Sequence, residues 1–141
     1  MSDYTKAHKF NSVLQIQKMK ERFPQFKVSG RNGKYTFLGT LRPSNSISEY
    51  VIKIQYDGWH RPKVYIIAPP ILNSAPHRYP DGSLCFYHPD KFDWHEYFFI
   101  ADYIVPWTAT WIYFYEIWKH TGFWYADEEP HKVTEEKKDK S

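Results

Sequence analysis

Cys85 is the only thiol in a chain of 141 residues. It sits in Ala-Pro-His-Arg-Tyr-Pro-Asp-Gly-Ser-Leu-Cys-Phe-Tyr-His-Pro, residues 75 to 89. His77 precedes it and His88 follows it. A lone cysteine flanked by histidines reads as a nucleophile with proton acceptors nearby, because imidazole takes up a proton close to neutral pH. The competing reading is a small buried hydrophobe, since free cysteine is among the most buried residue types. Asp81 and Asp90 are placed to orient an amine or a histidine. Asp81-Gly82 is also a good turn pair, and turn use alone accounts for Asp81.

Three other chemistries compete for these residues. His77, Cys85, His88 and His95 are four possible zinc ligands within twenty residues. Their spacing lacks the paired short loops of common zinc sites, so we expect no metal. Aromatics interleaved with Lys and Arg suit base stacking. The basic residues are scattered, however, and the net charge is only +3, so we expect no nucleic-acid partner. The six glycines form no phosphate-cradling loop. We therefore expect no nucleotide cofactor and no means of activating a carboxylate.

The segment has a familiar pattern. Pro76-His77, Tyr79, Asp81-Gly82, Leu84-Cys85 and Tyr87 resemble the active-site segment of bacterial ubiquitin-conjugating-enzyme-like proteins. The branch is the one found in cyclic-oligonucleotide antiphage signalling (CBASS) operons. The resemblance continues through Pro106-Trp107, Trp111, Tyr115-Glu116, Trp118, Thr121-Gly122 and Trp124. It implies that Cys85 carries a protein C-terminus as a thioester and passes it to an acceptor. It implies that His77 supports the loop or the proton transfer. Asp81 and His88 complete the set of candidate catalytic residues. The implied donor or substrate is the operon's cyclic-oligonucleotide synthase, of the CD-NTase type. The form implied is the stand-alone one, without a fused activating domain, in the bacterial cytoplasm. Eukaryotic relatives carry His-Pro-Asn ahead of their cysteine. Here Arg78-Tyr79-Pro80 follows His77, so the oxyanion-stabilising amide is absent or is replaced from elsewhere. The alternative function is a non-catalytic partner-binding module of the same fold.

The elements that must position the cysteine are legible on either side of it. Residues 5 to 23 place Phe10, Val13, Leu14, Ile16, Met19 and Phe23 at helical spacing, and Pro24 ends the run. Residues 25 to 29 suit a short strand. Tyr35 to Leu41 and Tyr50 to Tyr56 alternate as strands and Lys63 to Ala68 reads as a third, separated by turn residues. They predict an antiparallel meander with a helix on one face. From Pro69 to about Glu96 there is no sustained period, as expected of a functional loop. Tyr97 to Val105 and Pro106 to His120 read as two helices, because proline suits a first turn better than a helix interior. Trp107, Trp111, Tyr115 and Trp118 share one side of the second and read as core. Thr121-Gly122 reads as its stop.

The fold class expected is α+β, of the ubiquitin-conjugating type. It comprises an N-terminal helix, an antiparallel meander, an active-site loop and C-terminal helices. Residues 1–126 form the expected domain, which is long enough to bury a core. Aromatics supply 20% of the chain and much of that core. Residues 127–141, with six acidic and four lysine side chains, form an expected flexible tail. One cysteine excludes an internal disulfide framework. No apolar run approaches membrane-spanning length, so no membrane partner is expected.

Overall fold

Alternation along the strands decides the sheet. In Tyr50–Tyr56, residues 50, 52, 54 and 56 are buried while their neighbours are not, which is the period of a strand covered on one face. The computed structural model describes residues 3–44, 46, 48–86 and 94–125, with the side chains of residues 3–11 outside that description. The order is α1 (Asp3–Arg22), β1 (Lys27–Arg31), β2 (Lys34–Leu41), β3 (Tyr50–Tyr56), β4 (Lys63–Ala68) and α2 (Ile100–Thr121). The four strands form one antiparallel sheet in the order β1-β2-β3-β4. The α+β expectation holds. The expected tail, residues 127–141, lies outside the described residues. No helix among the described residues is long and apolar enough to cross a membrane.

The core lies between the sheet's inner face and the two helices. Phe37, Ile54 and Val64 stand side by side in register across β2, β3 and β4, each at 1% exposure or less. Met19 of α1 and Ile100, Ile104 and Ile112 of α2 belong to the same buried cluster. Gly39 is required by a close approach. A Cβ there would lie 2.6 Å from the Phe26 ring, and Phe26 is buried where the chain crosses from α1 to β1.

Two features of the helices differ from the sequence expectation. First, the inward face of α1 is shifted: Met19, Ile16 and Phe23 face the core as expected, but polar residues share that face and Val13 does not. Ser12, Gln15 and Met19 are buried, whereas Val13 is 55% exposed. Gln15 is buried because its amide bonds α2's start. Its Nε2 donates to the Phe98 carbonyl (2.6 Å) and its Oε1 accepts the Ile100 N–H (2.9 Å). A helix start leaves N–H groups without partners, and Phe99 at the cap position offers no side-chain bond. The cap comes from the other helix. Helix α2 therefore begins at Ile100 and not at Tyr97.

Second, the two expected C-terminal helices are one, running through Pro106. A proline inside a helix costs about 3 kcal/mol or more. Ile100, Ile104, Val105 and Ile112 are all at 1% exposure or less. Each contributes roughly 1.5–3 kcal/mol on full burial, and together they outweigh the proline. The C-terminus is as expected: Gly122 takes a left-handed φ of 84° and donates to the Trp118 carbonyl.

Tyr50 ties β3 to the C-terminal part of α2. Its hydroxyl bonds the Glu116 carboxylate. Burial, and then that carboxylate, hold the phenol above its ordinary value of 10.0.

Gln15→Leu should strand two buried polar groups and lower unfolding free energy by about 2 kcal/mol or more. The exposed control Gln17→Leu should stay within about 0.5 kcal/mol of wild type. Urea titrations of the two variants check this, and equal midpoints would refute the cap. The Tyr50 shift predicts a pH dependence of known sign. Below pH 10 both folded and unfolded states keep the phenolic proton, and Tyr50 adds no slope. Above pH 10 the unfolded state releases it first, so stability falls as pH rises. Tyr50→Phe should be less stable at neutral pH but decline less steeply above pH 10 in the same titrations.

Candidate functional site

After β4 the chain has no ladder to follow, and the cysteine's position is set by single hydrogen bonds. Residues 77 to 85 fold back on themselves as a very small hairpin. Tyr79 N–H donates to Ser83 (2.8 Å), Gly82 N–H to Tyr79 (2.8 Å) and Cys85 N–H to His77 (2.9 Å). Arg78 and Leu84 form the bridge between its arms. Pro80 in the turn and Gly82 at φ 91° are residue types that such a reversal selects. The returning arm docks on the sheet, because Leu84 N–H donates to the Val64 carbonyl of β4 (2.9 Å) and its side chain is buried.

Helix α2 holds the same loop from the other side. Trp111 donates its indole N–H to the His77 carbonyl (3.0 Å). One turn later, the Tyr115 hydroxyl accepts the Leu72 N–H (3.0 Å). Both rings are buried. His77 takes a left-handed φ of 61°, which aims its carbonyl at two donors at once. Its ring lies 4.9 Å from that of Trp124, which packs in turn on Trp111. Upstream, the Arg78 guanidinium gathers the carbonyls of Leu72 (3.1 Å) and Asn73 (3.0 Å). Arginine, with donors only, suits a cluster of carbonyls.

Cys85 is partly exposed at the end of this hairpin. Tyr79 and Cys85 lie on the same face of the hairpin, where the phenol and the thiol interact. The Tyr79 hydroxyl accepts from Arg61 Nη2 at 2.5 Å, and the guanidinium lies 5.6 Å from the ring centre. Burial, and then the neighbouring thiol, push the Tyr79 phenol above its ordinary value. Beside the hairpin lies an open groove of about 580 Å³, whose lining includes Lys34, His60, Arg61 and Lys63.

A family model described as Type II CBASS E2 protein matches residues 15–132. The chain belongs to that family. It therefore has an E2-like role in CBASS, and its partners are those of a CBASS operon. No curated protein matches the chain. The matched range takes in the second half of α1, the whole sheet, the cysteine hairpin and α2.

Within this CBASS E2 fold, the residues singled out from sequence have different fates. Cys85 and His77 are brought together, and the bond between them runs through the His77 main chain. Asp81 is at the hairpin tip. One carboxylate oxygen accepts the Ser83 N–H (2.9 Å) and hydroxyl (2.7 Å), and the other accepts Lys63 Nζ (3.1 Å). The Ser83 hydroxyl first, then the Ser83 N–H and Lys63, hold this carboxyl well below the usual range. His88 and Asp90 lie outside the described residues. Among the described residues no three potential metal-ligating side chains gather. Sequence reasoning gave no role at the site to Arg61, Arg78, Tyr79 or Trp111, and read Trp111 only as core. Tyr79 and Trp111 were visible as parts of the family pattern. Arg61, in the β3–β4 turn, carried no signal at all.

Trp111→Phe keeps the ring but removes the donor to His77. One net hydrogen bond contributes about 1 kcal/mol, so the Cys85 amide should exchange with solvent roughly fivefold faster. Amide hydrogen exchange reads this directly. An unchanged rate at Cys85 would show that α2 does not hold the loop through that bond.

Proposed function

We propose that the chain is a cysteine acyltransferase of the ubiquitin-conjugating kind. Cys85 is the nucleophile. The observation that carries this reading is the mounting of the chain's only thiol: partly exposed, at the end of a hairpin braced by both β4 and α2. A buried hydrophobe needs no such bracing.

The reaction has two balanced steps. The Cys85 sulfur attacks an acyl group that arrives already activated, its leaving group departs with the thiol proton, and a thioester forms. An amine then attacks the thioester carbonyl, the carbon–sulfur bond breaks, and the sulfur regains a proton as the amide forms. Neither step needs an oxidant or a nucleotide at this site. His77 serves the site as a peg, through its carbonyl and its packing on Trp124. Asp81 shapes the tip, where Ser83 and Lys63 hold its carboxylate. His88, three residues after the cysteine in sequence, is the proton acceptor. The donor is the C-terminus of the operon's CD-NTase-type synthase, and the acceptor is an amine of another protein.

Co-expression with the operon partners should give an adduct on Cys85 that hydroxylamine releases without any reductant. That release separates a thioester from a disulfide, which only a reductant or thiol would free. Cys85→Ala should lose both adduct and conjugation while keeping its melting temperature within a few degrees. Intact mass spectrometry reads the adduct. Full conjugation by Cys85→Ala would end the enzyme reading and leave a partner-binding module of the same fold.

A further inference from the structure

The His77-Arg78-Tyr79 sequence lacks the amide that eukaryotic conjugating enzymes place ahead of their cysteine, and the structure puts a different polar group beside the sulfur. In the hairpin, Tyr79 pairs with Ser83 and His77 with Cys85. Tyr79 and Cys85 are thus diagonal neighbours on one face, within reach for a long aromatic side chain. The Tyr79 hydroxyl accepts from Arg61 Nη2 on one side, and on the other its phenol interacts with the Cys85 thiol.

Once Cys85 is ionised, donors and acceptors allow one arrangement. A guanidinium has donors and no acceptor, so Arg61 occupies an acceptor position on the Tyr79 oxygen. An ionised sulfur can only accept, so toward a Cys85 thiolate it is the phenolic hydrogen that points at the sulfur. Arg61 is itself held in place from the β3–β4 turn. Asp57 Oδ1 accepts the N–H groups of Trp59 and His60, each at 2.8 Å, which fixes the turn just before Arg61.

We infer that Tyr79, polarised by Arg61, donates a hydrogen bond to the Cys85 sulfur and stabilises it as a thiolate, both when it attacks and when it leaves. Tyr79 touches the reacting atom and is catalytic in that sense; Arg61 is a positioning residue that acts through it. The inference assigns a role within the proposed acyl transfer and so rests on that reading, but its test does not require a donor. A hydrogen bond to a charged group is worth about 1.5–3 kcal/mol in general, and tenfold in rate corresponds to about 1.4 kcal/mol.

Cys85 is the only thiol, so alkylation of the intact protein by iodoacetamide reports on it alone. Tyr79→Phe keeps the ring and the Arg61 stacking but removes the hydroxyl. Its alkylation at neutral pH should be about tenfold slower than wild type. At strongly alkaline pH, where thiols are ionised regardless, the two rates should converge. Arg61→Gln should slow the reaction in the same direction, and Arg61→Lys should restore part of it. Arg61 is in a surface turn, so these variants keep the test alive should Tyr79→Phe fold poorly. Equal neutral-pH rates for wild type and both Tyr79→Phe and Arg61→Gln would overturn the inference. Slowing by one constant factor at every pH would also overturn it, since that marks altered access rather than thiolate stabilisation. Failure here with a hydroxylamine-sensitive adduct intact would remove Tyr79 and leave Cys85. The reverse outcome would leave a stabilised thiolate without the proposed acyl transfer.

Discussion

A single carbonyl joins the parts of this site. The His77 oxygen accepts from the Cys85 amide and from the Trp111 indole. One bond closes the hairpin that carries the thiol, and the other ties that hairpin to α2. Both depend on the left-handed backbone at His77. Histidine is among the few non-glycine residues that occupy this region with some frequency, although it is still uncommon there. Rotating that residue into the ordinary extended region would take the carbonyl away from both donors. The cysteine would then lose its link to the helix and its pairing partner in the same step.

Helix α2 is consequently more than a cover for the sheet. Its buried aliphatic residues fill the core, and its aromatic row, Trp111 and Tyr115, turns two polar atoms toward the loop. Those bonds are meaningful only if the helix is fixed in rotation and in height. Gln15 supplies part of that constraint by capping the first turn from α1. Tyr50 and Glu116 supply another part near the end. Gly122 ends the helix and leads into Trp124, which returns to pack on Trp111 and His77. A straight path of contacts thus runs from α1 through α2 to the thiol.

The carboxylate nearest the thiol in sequence illustrates how geometry divides structural from chemical roles. Asp81 is ionised and only four residues from Cys85, yet both of its oxygens are engaged at the hairpin tip and with Lys63. Tyr79, which the sequence marked only as part of the family pattern, shares the hairpin face of the sulfur and interacts with it. Charge and proximity along the chain were poor guides here. Orientation across the hairpin was the better one.

Much of the architecture was already legible in the chain. Period-two alternation marked β3 to the residue, because a strand buried on one face cannot hide its period. Gly122 marked the end of α2, because few other residues accept its backbone conformation. The unique cysteine and the residue types around it were enough to point to the family. The tertiary structure decided what local preference could not. It kept α2 whole across Pro106, since several buried isoleucines outweigh one lost hydrogen bond. It turned Gln15 inward and Val13 outward, since the start of α2 needed polar partners more than the core needed one more methyl pair. It brought Arg61 to Tyr79, and Trp111 to His77, across eighteen and thirty-four residues. No pattern within a short window encodes a contact of that separation; the packing of the sheet against α2 creates it.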